Sequence, residues 1–371
     1  MIVVASSVRE RGRQRGAALL VLLGMLAGLG VALLLPADAA FKTNSQSLQR
    51  DRLVARELQQ AKEALLAYAV SYADNYRPSG AGVGHLPCPD LDPVDDGNPD
   101  NDGPNPPCGT AARQLGRLPR QTFTFGSPIP EADQQGSHKR LSFHERRSDI
   151  DQQLWYAVSS GFINNPVATI VNPGTRGTLR VDQRQDIVAV IIAPGPALPG
   201  QHRGRPGDLL SAYLEGENAD GDLHFSRQKH AGANDRLVAI SRADLLPELE
   251  RRVLGFVRGW FHVYQLKQCP DTLDCYPYAA EGLHCVSGAD IGSIPLLQGS
   301  CATALTDDDT LDGVTLRRHW FIRNRWQEYI RYSVDPVCRL ATDVQCRLET
   351  FSGSSLGFDY SLVSVAPGES P

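Results

Sequence analysis

Residues 17–37 read AALLVLLGMLAGLGVALLLPA and carry no charge; Arg9, Arg11, Arg13 and Arg15 stand immediately before them. A helical run of about 20 apolar residues matches the hydrocarbon thickness of a bilayer. Arginines flanking such a run are retained on the cytoplasmic side. The predicted arrangement is a single pass through the inner membrane. The N-terminus is then cytoplasmic, and everything from Phe41 onward is periplasmic.

The chain does not break where the apolar run ends. Val54, Leu58, Ala61, Leu65, Tyr68 and Tyr72 recur at alternating steps of four and three, which is one face of an α-helix. Asn75-Tyr76-Arg77-Pro78-Ser79-Gly80 supplies the stop. The expectation is one long, nearly continuous helix, with its first half in lipid and its second half packed on a globular head.

Arg13-Gln14-Arg15-Gly16, followed by Ala17-Ala18-Leu19-Leu20-Val21, resembles the type IV pilin and pseudopilin family. The resemblance implies that a prepilin peptidase cuts between Gly16 and Ala17 and that the new N-terminus is methylated. It also implies that the apolar helix remains as membrane anchor and polymerisation stem. Leu19, Leu22, Leu26, Leu29 and Leu33 would then face the stems of other pilin or pseudopilin subunits. Val21 stands where most members of that family carry Glu, which resembles a minor, tip-type subunit rather than a bulk pilin. Two other readings start from the same residues. Ala37-Asp38-Ala39 fits an A-x-A site for an ordinary cleaved secretory signal, and an uncut run is a plain anchor. The amphipathic continuation favours the prepilin reading, because a cleaved signal needs none.

With 371 residues there is room for two domains of ordinary size. Residues 1–16 hold four Arg and one Glu, a net +3, so their removal takes the net charge from −5 to −8. That balance does not point to nucleic acid, and none is expected as a partner. All eight cysteines follow the apolar run: Cys88, Cys108, Cys269, Cys275, Cys285, Cys301, Cys338 and Cys346. An even count in an exported chain, without any C-x-x-C, reads as disulfides rather than zinc.

The head is duplicated in sequence. Cys88-Pro89-Asp90 recurs as Cys269-Pro270-Asp271, and Leu115-Gly116-Arg117-Leu118-Pro119 as Ile291-Gly292-Ser293-Ile294-Pro295. Trp155-Tyr156-Ala157-Val158 matches Arg331-Tyr332-Ser333-Val334, and Ala193-Pro194-Gly195 matches Ala366-Pro367-Gly368. The order is the same in both halves, and Pro119 to Tyr156 spans 37 residues, as does Pro295 to Tyr332. Four matches in order at such spacing indicate a repeat. Leu249, Val253, Phe256, Trp260 and Val263 give the second half its own helix. Pro247 is placed in its first turn, and Ser241-Arg242-Ala243-Asp244 resembles a capping box. The repeat alignment couples Cys88 with Cys108 and Cys269 with Cys285, leaving Cys275, Cys301, Cys338 and Cys346; spacing alone leaves the connectivity open.

The fold class expected is α+β. The long N-terminal helix is followed by two tandem pilin-like heads, each a helix on an antiparallel sheet tied by disulfides. The divisions are 1–16 as leader, 17–37 as transmembrane segment, 38–200 as first head, 201–240 as connector and 241–371 as second head. Strands are expected at Trp155–Val158, Gly177–Val181, Ile187–Ala193 and Phe358–Val365. Ile187–Ala193 is apolar on both faces and therefore central.

Few stretches of the chain carry a motif with chemistry. Asp92, Asp95, Asp96, Asn98, Asp100 and Asp102 crowd one loop, and Asn98, Asp100 and Asp102 have the spacing that opens an EF-hand. The twelfth position is Gly109 rather than Glu, so an EF-hand is excluded. A looser calcium loop and a solvated acidic turn both fit. No other cofactor is implied. Glu217, Asp220 and Asp222 read as solvated turn residues. Gly353-Ser354-Ser355-Leu356-Gly357 fits G-x-S-x-G, but no histidine follows His319, so the order a hydrolase needs fails. His144-Glu145 lacks the second histidine of H-E-x-x-H. Arg317–Arg331 mixes arginines with Trp320, Phe321, Trp326 and Tyr329, a pattern that fits arginine on phosphate with aromatics stacking on bases, and fits better a buried aromatic helix face. The function expected is a non-enzymatic pilin-like or pseudopilin-like subunit of a type IV pilus or type II secretion assembly. The alternative is an exported, disulfide-rich binding protein or enzyme released near Ala39.

Overall fold

The computed structural model describes residues 22–23, 25, 48–71, 83–91, 114–119, 153–163, 169–203, 210–228, 232–268, 279–281, 284–285, 291–294, 310–311, 314–315, 319–333, 347–349, 355–357 and 361–364. The chain divides into two compact units, Met1–Arg56 and Glu57–Pro371. Both halves of the sequence repeat lie in the second, and the class of the fold is α+β.

Helix α1 covers 48–71. It holds no Gly or Pro and is rich in Ala, Leu, Gln, Glu and Arg, the residues that lose least on becoming helical. Val54, Leu58, Ala61, Leu65 and Tyr68 of the predicted stripe are all buried. Tyr72 lies outside the described residues. The last turn is tied down where the Gly84 N–H donates to the Ala69 carbonyl at 2.7 Å. Gly84 has φ +97°, and a Cβ there would lie 2.4 Å from Val171, so the position needs glycine on both counts.

The first sheet has six strands: β1 Leu115–Arg117, β2 Trp155–Val158, β3 Leu179–Val181, β4 Arg184–Ala193, β5 His224–Phe225 and β6 Arg236–Ser241. Their order is β1-β2-β4-β3-β5, with β6 on the other side of β4. Every pairing is antiparallel except β3 with β5, so the sheet is mixed rather than the purely antiparallel one expected. Strand β4 is central, and Ile187 through Ala193 are buried throughout.

The register of β4 against β6 shifts between Ile187 and Ala189. One extra residue there turns Ile187 to the same face as Val190 and Ile192, and all three share one core cluster with Trp155, Leu179, Val181, Tyr213, Leu214 and Phe225. Ala189 and Ile191 alternate to the other face and are equally buried; α2 (Arg242–Gln268) packs against β4 and β6.

Here the structure departs from the expected boundaries. The stretch 201–240 supplies β5, most of β6 and the Tyr213-Leu214 layer of the first core, so it completes the first sheet instead of linking two heads. Helix α2 follows β6 without a spacer. Pro247 sits at its sixth residue, past the first turn, because the capping box starts the helix at Arg242. The buried arc of α2 is also broader than the predicted stripe: Leu245, Leu254, Val257 and Phe261 join Leu249, Val253, Trp260 and Val263.

The second half contains β7 Ala280–Glu281, β8 His284–Cys285, β9 Ile291–Gly292, β10 Thr310–Leu311, β11 Val314–Thr315, α3 His319–Arg323, β12 Ile330–Ser333, β13 Arg347–Glu349, β14 Ser355–Gly357 and β15 Ser361–Ser364. β7 with β8, β10 with β11 and β13 with β14 are antiparallel pairs, and β15-β12-β9 is a three-stranded sheet. That sheet repeats the first one. Gly116 lies opposite Tyr156, and Gly292 lies opposite Tyr332. Tyr156 then faces Ile191 of β4, and Tyr332 faces Leu362 of β15. Both tyrosines are fully buried. In each half the strand that carries the repeated Leu/Ile-Gly pair, β1 or β9, pairs with the tyrosine strand, which pairs with the apolar strand preceding Ala-Pro-Gly.

Gly116 explains why this motif keeps a glycine. Asp90 and Arg117 exchange backbone hydrogen bonds at 3.0 and 2.8 Å, which lays the Cys-Pro-Asp segment across β1. A Cβ at Gly116 would lie 2.5 Å from the Asp90 carbonyl oxygen and 2.7 Å from Leu91. The Tyr156 hydroxyl donates to the Pro87 carbonyl at 3.2 Å, fixing the start of the same segment.

Candidate functional site

Most residues singled out from the sequence lie outside the described ones. These are the processing pair Gly16 and Ala17, the acidic residues Asp92, Asp95, Asp96, Asn98, Asp100 and Asp102, and Cys108, Cys269, Cys275, Cys301, Cys338 and Cys346. Cys88 is buried and disulfide-bonded; Cys285 is placed through its backbone in β8. Leu22, Leu23 and Met25 are helical and exposed. Among the described residues no helix is long and apolar enough to cross a membrane, and no group of three or more His, Cys, Asp or Glu is placed to hold a metal.

What the structure does show is how the helix expected to continue the stem is fixed to the head. Lys62 reaches from α1 to the β6–α2 junction. Its ammonium donates to the Ala239 carbonyl at 3.0 Å and pairs with the Asp244 carboxylate at 3.1 Å. The Lys62 side chain is 15% exposed, so its aliphatic stem is packed and only the tip meets polar groups. Asp244 belongs to the predicted capping box. Its carboxylate accepts the Ser241 N–H at 2.8 Å and the Ser241 hydroxyl at 2.7 Å, and the Asp244 N–H donates back to that hydroxyl at 3.2 Å. Burial opposes ionisation of Asp244, but the hydrogen bonds from Ser241, and then Lys62, outweigh it and hold the carboxyl below its ordinary value.

The two halves of the repeat are joined by Asn324. Its Oδ1 accepts the Val171 N–H at 2.8 Å, its carbonyl accepts the Asn172 Nδ2 at 2.9 Å, and its Nδ2 donates to the Trp320 carbonyl at 2.7 Å. Arg325 then takes a left-handed conformation, φ 58°. Behind this turn an aromatic cluster closes on α2. Trp260 packs edge-on to Phe321 at 5.1 Å, and Phe256 packs edge-on to Trp320 at 5.3 Å. Trp320, Phe321 and Trp326 are buried, so these rings are core and offer no stacking platform.

The most elaborate polar site was not anticipated from the sequence. Arg203 is almost fully buried and donates to the carbonyls of Gly195, Ala212 and Tyr213 at 2.8, 3.0 and 3.0 Å, and to the Gln201 side chain at 2.9 Å. Glu215 lies 3.9 Å from that guanidinium and accepts the Gln201 amide and the Asn234 N–H, both at 3.0 Å. Asp235 accepts the Glu215 N–H at 2.9 Å and the Asn218 amide at 3.4 Å, through Oδ2. Its other oxygen, Oδ1, is buried without a hydrogen-bond partner. Burial, and then the neighbouring Glu215 charge, push the Asp235 carboxyl up to about 7, against opposing hydrogen bonds from the Glu215 backbone and Asn218. By contrast Glu217, Asp220 and Asp222 are exposed, and Asp220 and Asp222 close local turns at 3.1 and 2.8 Å.

Comparison with protein-family models, with curated proteins and with solved structures finds no match.

Proposed function

We propose that this chain is a membrane-anchored, pilin-like or pseudopilin-like structural subunit, held in the inner membrane by residues 17–37 with its head in the periplasm. The observation that carries the reading is the continuity of three features. The Arg-Gly junction at Gly16 precedes an uncharged run, the run precedes the helix α1, and Leu58, Ala61, Leu65 and Tyr68 of α1 are buried. A stem of this kind transmits force only if its distal half is fixed to the head, and Lys62 and the Gly84–Ala69 hydrogen bond fix it. The repeated helix-then-sheet plan supports two pilin-like heads on one stem. Fused through β6 and α2, they form one body. In this reading the chain works by assembly with other such subunits rather than by catalysis. The remaining cysteines stabilise the heads as disulfides, and Cys88 bonds to Cys108.

The deciding experiment is the mature N-terminus, determined by mass spectrometry on the membrane fraction with and without a prepilin peptidase. A chain beginning at methylated Ala17, dependent on the peptidase and abolished by G16V, is the expected result. A soluble chain beginning at Ala40 would overturn it in favour of an exported protein released after Ala39. An uncut chain would make residues 17–37 a plain anchor.

A further inference from the structure

We propose that Arg117 and Trp155 form a seat for a small carboxylate at the margin of the first core. Asp90, Arg117 and Trp155 stand in one row across three neighbouring segments: Asp90 is paired with Arg117, and Arg117 with Trp155. Directly opposed residues of antiparallel strands project to the same face. The Leu118 N–H donates to the Leu154 carbonyl, and the Val158 N–H to the Gln114 carbonyl. Arg117 and Trp155 therefore fall between the bonded positions, where opposed side chains stand closest. Each of the two residues is 7% exposed. The Arg117 Nη1 and the Trp155 Nε1 are both buried, and neither has a hydrogen-bond partner.

A guanidinium N–H and an indole N–H can only donate. Two such donors, side by side and shielded from water, call for an acceptor. The Trp155 ring belongs to the core and packs on Tyr213 with centroids 5.4 Å apart, so its N–H cannot swing out to solvent. The number and charge of the donors select the ligand. One guanidinium N–H and one indole N–H match the two oxygens of a carboxylate, and the guanidinium supplies its counter-charge. A phosphate presents more oxygens and a second charge, which buried Asp90, next in the row beyond Arg117, disfavours. Because both donors are shielded, the ligand is a short aliphatic acid. Its tail would meet Leu115, which lies two residues before Arg117 on the same face and is only partly buried against the core. This inference does not depend on the pilin-like assignment, because it concerns the first sheet alone.

The test is nitrogen-15 labelling of tryptophan in the full chain in detergent micelles, with acetate titrated against chloride at constant ionic strength. The chain has four tryptophans, and the signal lost in W155F identifies the Trp155 indole. Expected is a saturable downfield shift of that signal with acetate alone, with affinity about tenfold or more weaker in R117Q. Heat unfolding is the second readout: acetate should raise the midpoint of the wild type and leave that of W155F in place, which keeps the test decisive if R117Q folds poorly. A Trp155 signal unmoved by acetate overturns the seat. So does an equal shift with chloride, an R117Q variant that binds as tightly as the wild type, or a W155F midpoint that rises as much. Phosphate binding more tightly than acetate overturns the choice of a carboxylate.

Discussion

Lys62 bonds α1 to both the Ala239 carbonyl and the Asp244 carboxylate, and K62M isolates its charge. Methionine keeps the packed aliphatic stem but removes the donor to the Ala239 carbonyl and the partner of Asp244. A hydrogen bond from a charged donor contributes about 1.5–3 kcal/mol when its acceptor is shielded. The ion pair adds less, about 0.2–1 kcal/mol, because Asp244 is 39% exposed and screened. Water can reach part of the vacated site, so a net loss of about 2 kcal/mol is expected. The assay is urea unfolding of the full chain in micelles, with K62M, D244N and the double variant forming a cycle. The coupling should be about 0.5–1 kcal/mol, with K62M alone larger than the coupling because the Ala239 bond is lost regardless of residue 244. The pH dependence has a defined sign. The folded Asp244 carboxyl titrates below its ordinary 3.8, so its contribution is complete above about pH 4 and is lost as pH falls through the depressed value. D244N should lack that acid limb. A K62M variant within 0.5 kcal/mol of wild type, or a cycle with no coupling, would refute the assignment of Lys62 as the attachment.

Two further substitutions probe the repeat. G116A places a methyl group 2.5 Å from the Asp90 carbonyl. It should cost about 3 kcal/mol or more, since backbone must move to admit it, and urea unfolding measures it; a loss below 1 kcal/mol would mean the Cys-Pro-Asp segment is not laid across β1 as described. N324A removes two hydrogen bonds made by the Asn324 side chain, to Val171 and Trp320, and should cost about 2 kcal/mol. Hydrogen exchange should rise first at 169–175 and 319–333, and a rise confined to one of those segments would argue against Asn324 as the joint.

Several features were legible in the chain itself. The stripe of α1 and the central strand at Ile187–Ala193 follow from local periodicity, which depends only on neighbouring residues. The repeat was legible for a related reason: Gly116 and Gly292, with Tyr156 and Tyr332, keep constant spacing, and the structure gives both pairs the same register. The capping box at Ser241 is likewise a three-residue device. Other expectations failed where the determinants are dispersed. The stretch 201–240 resembles a linker because Tyr213, Leu214 and Phe225 stand apart among Gly, Asn and Asp, with no period to betray a core layer. Pro247 suggested a later helix start than the one set by the capping box. The parallel pairing of β3 with β5 depends on where two short strands, more than 40 residues apart, come to rest.

The sequence by itself determined the buried stripe of α1, the helix at α2, the strands β2, β3 and β4, the repeated interval and the charge-free run, because each is written in a few adjacent residues or a repeated spacing. Tertiary structure alone decided that Lys62 meets Asp244 across 182 positions, that Asn324 meets Val171, and that the Glu215 N–H donates to the buried Asp235 carboxylate. Those encounters, and the shift they impose on Asp235, exist only once the sheet is formed, since burial and distance, rather than residue identity, set the energy of a charge.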